Sequence, residues 1–255
     1  KGAMTVGELR VQGESDDEYL VSTYCCHPSM ANDNLSGLLT SAFLARDLWS
    51  GGTPHRSWRF VFVPETIGAI AYLCHNEAAM KTIHGGLVVA TCGGTGPLGY
   101  KESYLGDNLV DRAIRLAFRD RGIKPVRYSF VPDGSDERQY SSPGFRIPIA
   151  TITRDKYYEY PQYHTSLDNL DFVNGSQIVE SLALYRAAVQ ILDQNKCYRS
   201  TSPNGEPQLS RRGLYPLTGG GINQLSVASN TVQVEQTLNA VIWLMFMADG
   251  DHDLL

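Results

Sequence analysis

The chain has 255 residues, 42% hydrophobic and 19% charged, a balance that excludes a disordered or fibrous protein and allows one sizeable α/β core with a small appendage. A formal charge of −5, with no run of lysine or arginine, argues against nucleic acid or another polyanion as partner. No stretch reaches the ~18 uninterrupted apolar residues of a membrane helix, and the five cysteines, odd in number and without C-x-x-C spacing, are no disulfide framework, so a soluble protein of a reducing, cytoplasmic compartment is expected.

The opening KGAMTVGELRV carries no secretory signal, and both it and the closing GDHDLL read as cut ends of a longer chain. The first apolar run, YLVSTYCC (19–26), predicts a strand; LSGLLTSAFLARDLW (35–49), with apolar positions three and four apart, predicts a helix. WRFVFVP (58–64) and TIGAIAYLCHNEAAMKT (66–82) repeat that strand and helix pair. GLVVATC (86–92), the helix NLVDRAIRLAFRDRG (108–122), the strands VRYSFVP (126–132) and IPIATIT (147–153), and the helix GSQIVESLALYRAAVQILDQ (175–194) follow. Several strands are apolar at nearly every position, as in an α/β sheet covered by helices on both faces. These elements form a predicted domain over 1–200. Turn-rich sequence containing SPNGEPQ and LTGGGIN makes 201–225 a connector, and the helical NTVQVEQTLNAVIWLMFMADG places the start of a small second domain at 226–255.

Reactive groups of open α/β sheets collect where strands end. Four polar clusters lie there: His27 to Asp33, Glu65, Asp133 to Glu137, and Glu159 to Asp168. Each has a bland role available. His27 could sit at a core edge, Asp33 could cap the helix behind it, Glu65 could favour a helix N-terminus by about 0.3–1 kcal/mol, and His164 could face solvent. Yet Asn32, Asp33 and Asn34 are three cap-competent residues where one suffices, and Tyr157, Tyr158, Tyr160 and Tyr163 around His164 suggest a pocket wall. Two histidines with a carboxylate are what zinc takes in catalytic sites, one position being left for water, and a half-buried Glu65 suits a general base. Vicinal Cys25 and Cys26 are read as packing of the first strand. No nucleophile elbow, phosphate loop or dinucleotide fingerprint is present.

HPSMANDNLSG, PETIG, SDERQY and YHTSLDNLD, in that order, resemble the zinc-dependent aminopeptidase superfamily that includes glutaminyl cyclases. More closely they resemble aminopeptidase-like proteins found beside bacterial polysaccharide-biosynthesis genes, in which a winged helix follows the peptidase-like domain. The resemblance implies a mixed, mainly parallel sheet sandwiched by helices, with a partial C-terminal winged-helix segment. It makes His27 and His164 metal ligands, Asp33 the aspartate that bridges two metals in di-zinc relatives, and Glu65 the general base. Asp136 matches a residue lining the substrate pocket; Glu137 and Arg138 could recognise substrate charge, Tyr163 lies beside the late histidine, and Glu159 or Asp136 could hold a substrate ammonium. Where di-zinc relatives have a second glutamate after the base, this chain has Thr66, and the aspartate expected after GLVV is replaced within ATCGGTG. One zinc is therefore the economical expectation. The implied activity is hydrolysis of a peptide or small amide, with a sugar-linked amide also open; the alternative is an inactive domain that binds a peptide or amino sugar.

Overall fold

A computed structural model describes residues 2–212 and 230–255. The chain divides into two compact units, Lys1–Gln194 and Asn195–Leu255.

In the first unit the order is β1 (Gly7–Val11), β2 (Glu18–Tyr24), α1 (Gly37–Ser50), β3 (Ser57–Val63), α2 (Ile67–His75), α3 (Glu77–Met80), β4 (Ile83–Val89), β5 (Gly99–Lys101), α4 (Leu109–Asp120), β6 (Val126–Tyr128), α5 (Glu137–Tyr140), β7 (Ile149–Thr153) and α6 (Gly175–Gln194). The strands form one sheet in the order β1-β3-β2-β4-β7-β5-β6. β3, β2, β4 and β7 pair in parallel, as do β5 and β6; β1 joins β3, and β5 joins β7, antiparallel. This is the α/β sheet expected from the residue pattern, mixed and mainly parallel as the resemblance implied.

The four central strands are apolar because helices cover them. Leu20, Val61, Val88 and Ile149 are fully buried or nearly so, and they share one cluster with Ala69, Tyr72 and Leu73 of α2. Each such aliphatic side chain contributes about 1.5–3 kcal/mol by leaving water. Gly86 is required where β2, β4 and β7 meet: a Cβ there would stand 2.4 Å from the Leu20 carbonyl and 2.8 Å from Ile149 Cδ1. α4 begins on a capping box, with Asn108 accepting from the Val110 amide at 2.8 Å and Asp111 answering at its third position.

The structure corrects several boundaries. The strand expected over 126–132 stops at Tyr128, and the one expected from 147 begins at Ile149, behind Pro148. The helix expected over 66–82 breaks at Asn76 (φ −118°), whose side chain donates to the Tyr72 carbonyl at 3.0 Å and so competes with the helical ladder. The three-residue β5 is too short, and the edge strand β1 carries too few apolar residues, to show in the sequence; GELRV is mostly exposed and gains its order by pairing with β3.

In the second unit, residues 201–212 are irregular apart from a short 3₁₀ turn at Ser210–Arg212, and the expected C-terminal helix is present as α7 (Asn230–Met247). The rest of the expected connector, 213–225, lies outside the described residues. Among the described residues no helix is long and apolar enough to cross a membrane.

Candidate metal centre

The parallel strands β2, β3 and β7 end on one edge of the sheet, and the clusters predicted there come together. His27 follows β2, Asp33 lies in a turn of π type over Ala31–Ser36, Glu65 follows β3, and His164 lies in the long connection from β7 to α6. His164 Nε2 stands 3.2 Å from Asp33 Oδ2, and His27 Nδ1 stands 3.8 Å from the same oxygen. One ligand atom from each of His27, Asp33 and His164 fits within a 4.8 Å circle of mutual distances. Donors each 2.0–2.2 Å from a tetrahedral zinc would stand about 3.3–3.6 Å apart, so the observed spacing fits the ion, as do the donor types. The other oxygen of Asp33, Oδ1, accepts from Tyr24 Oη at 2.7 Å, which leaves Oδ2 free to face the two rings.

The run NDNLSG is explained residue by residue. Asn32 Oδ1 accepts from the amides of Gly93 and Gly94 at 2.9 and 3.0 Å, and Asn34 reaches Thr23, the Tyr24 and Val89 carbonyls, and the Thr91 amide. Ser36 Oγ accepts from the Cys92 amide at 2.8 Å. The loop after β4, where the resemblance would put a metal-binding aspartate, is thus stitched by its backbone to the Asn32–Ser36 turn. A residue given no role of its own from the sequence completes the arrangement: Asp168, 1% exposed, accepts from the amides of Asn32 (2.6 Å) and Asp33 (2.9 Å). Its sequence signal was its place at the end of the polar cluster that holds His164. Asp168→Ala is expected to lower zinc affinity about 10- to 100-fold by loosening the turn that presents Asp33, measured by competition with a chromogenic chelator.

His27, Thr66 and His164 all have positive φ (60°, 61° and 53°), a conformation that costs non-glycine residues energy and gathers at functional sites. Tyr163 stacks on the His164 ring with centroids 3.9 Å apart, and His27 and His164 lie 4.6 Å apart. Glu65 Oε2 stands 3.9 Å from His27 Nε2. Burial first, and the nearby Asp33 carboxylate second, push the Glu65 carboxyl up to about 6.

The remaining candidates separate. Asp136 is fully buried, with Oδ1 accepting from the Thr66 amide at 2.7 Å and Oδ2 unpaired among the described residues. Burial, then Glu65 and Glu137, raise its carboxyl to about 7 despite that amide. Glu137, expected to meet substrate charge, is instead 1% exposed; it accepts from Thr151 Oγ1 at 2.6 Å and faces buried Lys101 at 3.9 Å. Glu159 is exposed and pairs with Lys156, three residues back, so its described ion pair points away from substrate capture. Cys25 and Cys26, read as strand packing, lie beyond β2: Cys25 is exposed and Cys26 half-buried.

A carboxyl whose pKa is raised by folding costs stability once pH exceeds its unfolded value, 3.8 here, and the cost is complete above its folded value, about 7. Asp136→Asn keeps an acceptor for Thr66 and removes the charge. At pH 8 the metal-free variant is expected to be more stable than the wild type by about 1–3 kcal/mol, the gain vanishing below pH 4, as read from denaturant titrations at both pH values.

A cavity of about 480 Å³ opens beside His27, lined by Met30, Ala31, Leu35, Leu38 and Leu170 together with Cys25 and Cys26. Its lining is mostly apolar, with Ser29 and Asn169 adding polar groups beside His27.

Residues 1–195 match the family described as a domain of unknown function (DUF4910), and residues 196–255 match a winged helix-turn-helix. Over 254 residues the chain is 38% identical to a Clostridium acetobutylicum protein described as a polysaccharide biosynthesis protein with an aminopeptidase-like domain, covering all of this chain and 56% of that protein. A crystal structure from the same species, described as a peptidase, shares 35% identity with a TM-score of 0.82, over 98% of this chain and 53% of that one. The chain therefore spans about half the length of these relatives. A zinc aminopeptidase from Bacillus subtilis shares the fold at a TM-score of 0.61 and 21% identity, over 72% of this chain and 48% of that one. The first unit is thus an aminopeptidase-like α/β domain, and the chain belongs to the DUF4910 family, followed here by a winged helix-turn-helix segment.

Proposed function

We propose that the chain is a zinc-dependent hydrolase of amide bonds, acting on a small peptide or aminoacyl amide, with His27, Asp33 and His164 holding one zinc and Glu65 as general base. The observation that supports this most is the convergence of those three donors, far apart in sequence, with a half-buried carboxylate poised 3.9 Å from one of the rings. Zinc in such a place supplies Lewis acidity, bringing water toward a pKa of about 7 and polarising a carbonyl.

Asp33 Oδ2 and the two imidazoles orient the site. Glu65, near neutrality in pKa, accepts a proton from the attacking water as its oxygen bonds to the carbonyl carbon. As the carbon–nitrogen bond breaks, Glu65 passes that proton to the departing amine. Tyr163 keeps the His164 ring face packed, and Asp136, through the Thr66 amide, fixes the backbone beside Glu65. A pure binding domain would gain nothing from a carboxyl held near pH 6 at this spot, which favours the enzyme over the binding-domain alternative. The acidic balance of the chain favours a small uncharged or cationic substrate over nucleic acid.

The apolar cavity beside His27 favours an aliphatic group on the substrate. Leu38→Asp is expected to lower kcat/KM for leucine amide relative to glycine amide by about 10- to 100-fold; an unchanged ratio places the substrate side chain elsewhere. The reading as a whole is tested by zinc content and amide hydrolysis of the wild type and of Glu65→Gln.

A further inference from the structure

We propose that Cys26, His27 and Glu65 form a second site for a thiophilic divalent cation, sharing His27 with the centre described above, and that a cation held there inhibits the protein by taking its general base as a ligand. The site itself stands on the structure; its inhibitory consequence rests on the role given to Glu65 above.

β2 ends at Tyr24, so the Cys26 thiol is not a strand side chain packed in the core. It is half-buried and lines the cavity beside His27. Cys26 Sγ lies 3.5 Å from His27 Nδ1 and 4.0 Å from Glu65 Oε2, while Glu65 Oε2 lies 3.9 Å from His27 Nε2. One atom from each of the three lies within 4.8 Å of the others. Donors at 2.0–2.3 Å from one ion, with angles between tetrahedral and trigonal, stand about 3.3–4.0 Å apart. Only one nitrogen of His27 can bind a given ion, so loading needs the thiol or the carboxylate to rotate toward it. Glu65, half-buried just beyond β3, has Ser135 as a hydrogen-bond partner, whereas the described side-chain contacts of Cys26 are no shorter than 3.5 Å, so the thiol is the more weakly held of the two.

The donor types decide the ligand. With Asp33 and His164, His27 belongs to an oxygen and nitrogen set; with Cys26 and Glu65 it belongs to one that adds sulfur. Thiolate with imidazole selects zinc, cadmium or cobalt and rejects magnesium, calcium and manganese. Binding exchanges the thiol proton for the cation, the proton leaving to solvent, with no change of oxidation state. Cys25, one residue earlier and exposed, belongs to neither donor set and serves as an internal control.

The test is titration of metal-free protein with cobalt(II), following the near-ultraviolet thiolate-to-cobalt charge-transfer band. The band is expected in wild type, Cys25→Ser and His164→Ala, and absent in Cys26→Ser, with apparent cobalt affinity at this site lowered about 10- to 100-fold in Glu65→Gln. No band in wild type at saturating cobalt, or a band that survives Cys26→Ser, overturns the proposal. If Cys26→Ser does not fold, alkylation of wild type by iodoacetamide replaces it: cadmium should slow modification of Cys26 and not of Cys25, and equal rates overturn the site. Failure of the hydrolase reading looks different, as zinc content unaffected by His164→Ala with the cobalt band still present.

Discussion

Glu65→Gln is expected to keep its zinc and to lose amide hydrolysis by about 100- to 10,000-fold, the usual share of a positioned general base. Gln matches Glu in shape and leaves the His27, Asp33 and His164 donors untouched, so a loss of rate without loss of metal isolates the proton-transfer role. The pH dependence carries a second signature. In the wild type the rate should rise as pH climbs through about 6, where the Glu65 carboxyl becomes a carboxylate able to accept a proton; a bound cation moves that limb to lower pH, because opposite charge favours the ionised form. In Glu65→Gln the limb should disappear. Full activity in Glu65→Gln would remove the mechanism and leave the metal centre standing.

Asp33→Asn should strip the zinc. Apparent free energies of about 10–16 kcal/mol for four-ligand zinc sites correspond to roughly 3 kcal/mol per donor, so losing the one anionic ligand should weaken binding by at least about 100-fold. Wild type should carry about one zinc per chain after dialysis and Asp33→Asn close to none, by elemental analysis. The amide oxygen still accepts from Tyr24, so the fold should survive. Metal-free Asp33→Asn should be at least as stable as metal-free wild type near pH 8, because it removes a buried carboxylate whose charge raises the Glu65 pKa. Zinc retained at wild-type affinity would show that the cation, if bound, sits elsewhere.

Much of this architecture was legible in the residues. YLVSTYCC, WRFVFVP, GLVVATC and IPIATIT announce central strands because a strand covered on both faces is apolar at every position. The four polar clusters stood at strand ends, and His27, Asp33, Glu65 and His164 were readable as a group. Less was legible where order comes from pairing and not from burial: GELRV is a strand only because β3 offers it an edge, and VRYSFVP stops after three residues because nothing beyond Tyr128 pairs with it. Glu137 was misjudged for a related reason. A carboxylate in a polar run reads as exposed, and only tertiary packing brings Thr151 of β7 and Lys101 of β5 to it.

What the residues determined by themselves is the class of fold and the chemical inventory, since periodicity records which faces must leave water and residue type records which atoms can donate, accept or ligate. What tertiary structure decided is distance. Asp168 reaches across the chain to tie the amides before Asp33, and Cys26 turns from the strand it follows toward His27 and Glu65. Neither fact has a periodic signature, because a contact between residues far apart in sequence is set by how layers pack and where loops end, and a one-dimensional pattern carries no term for either.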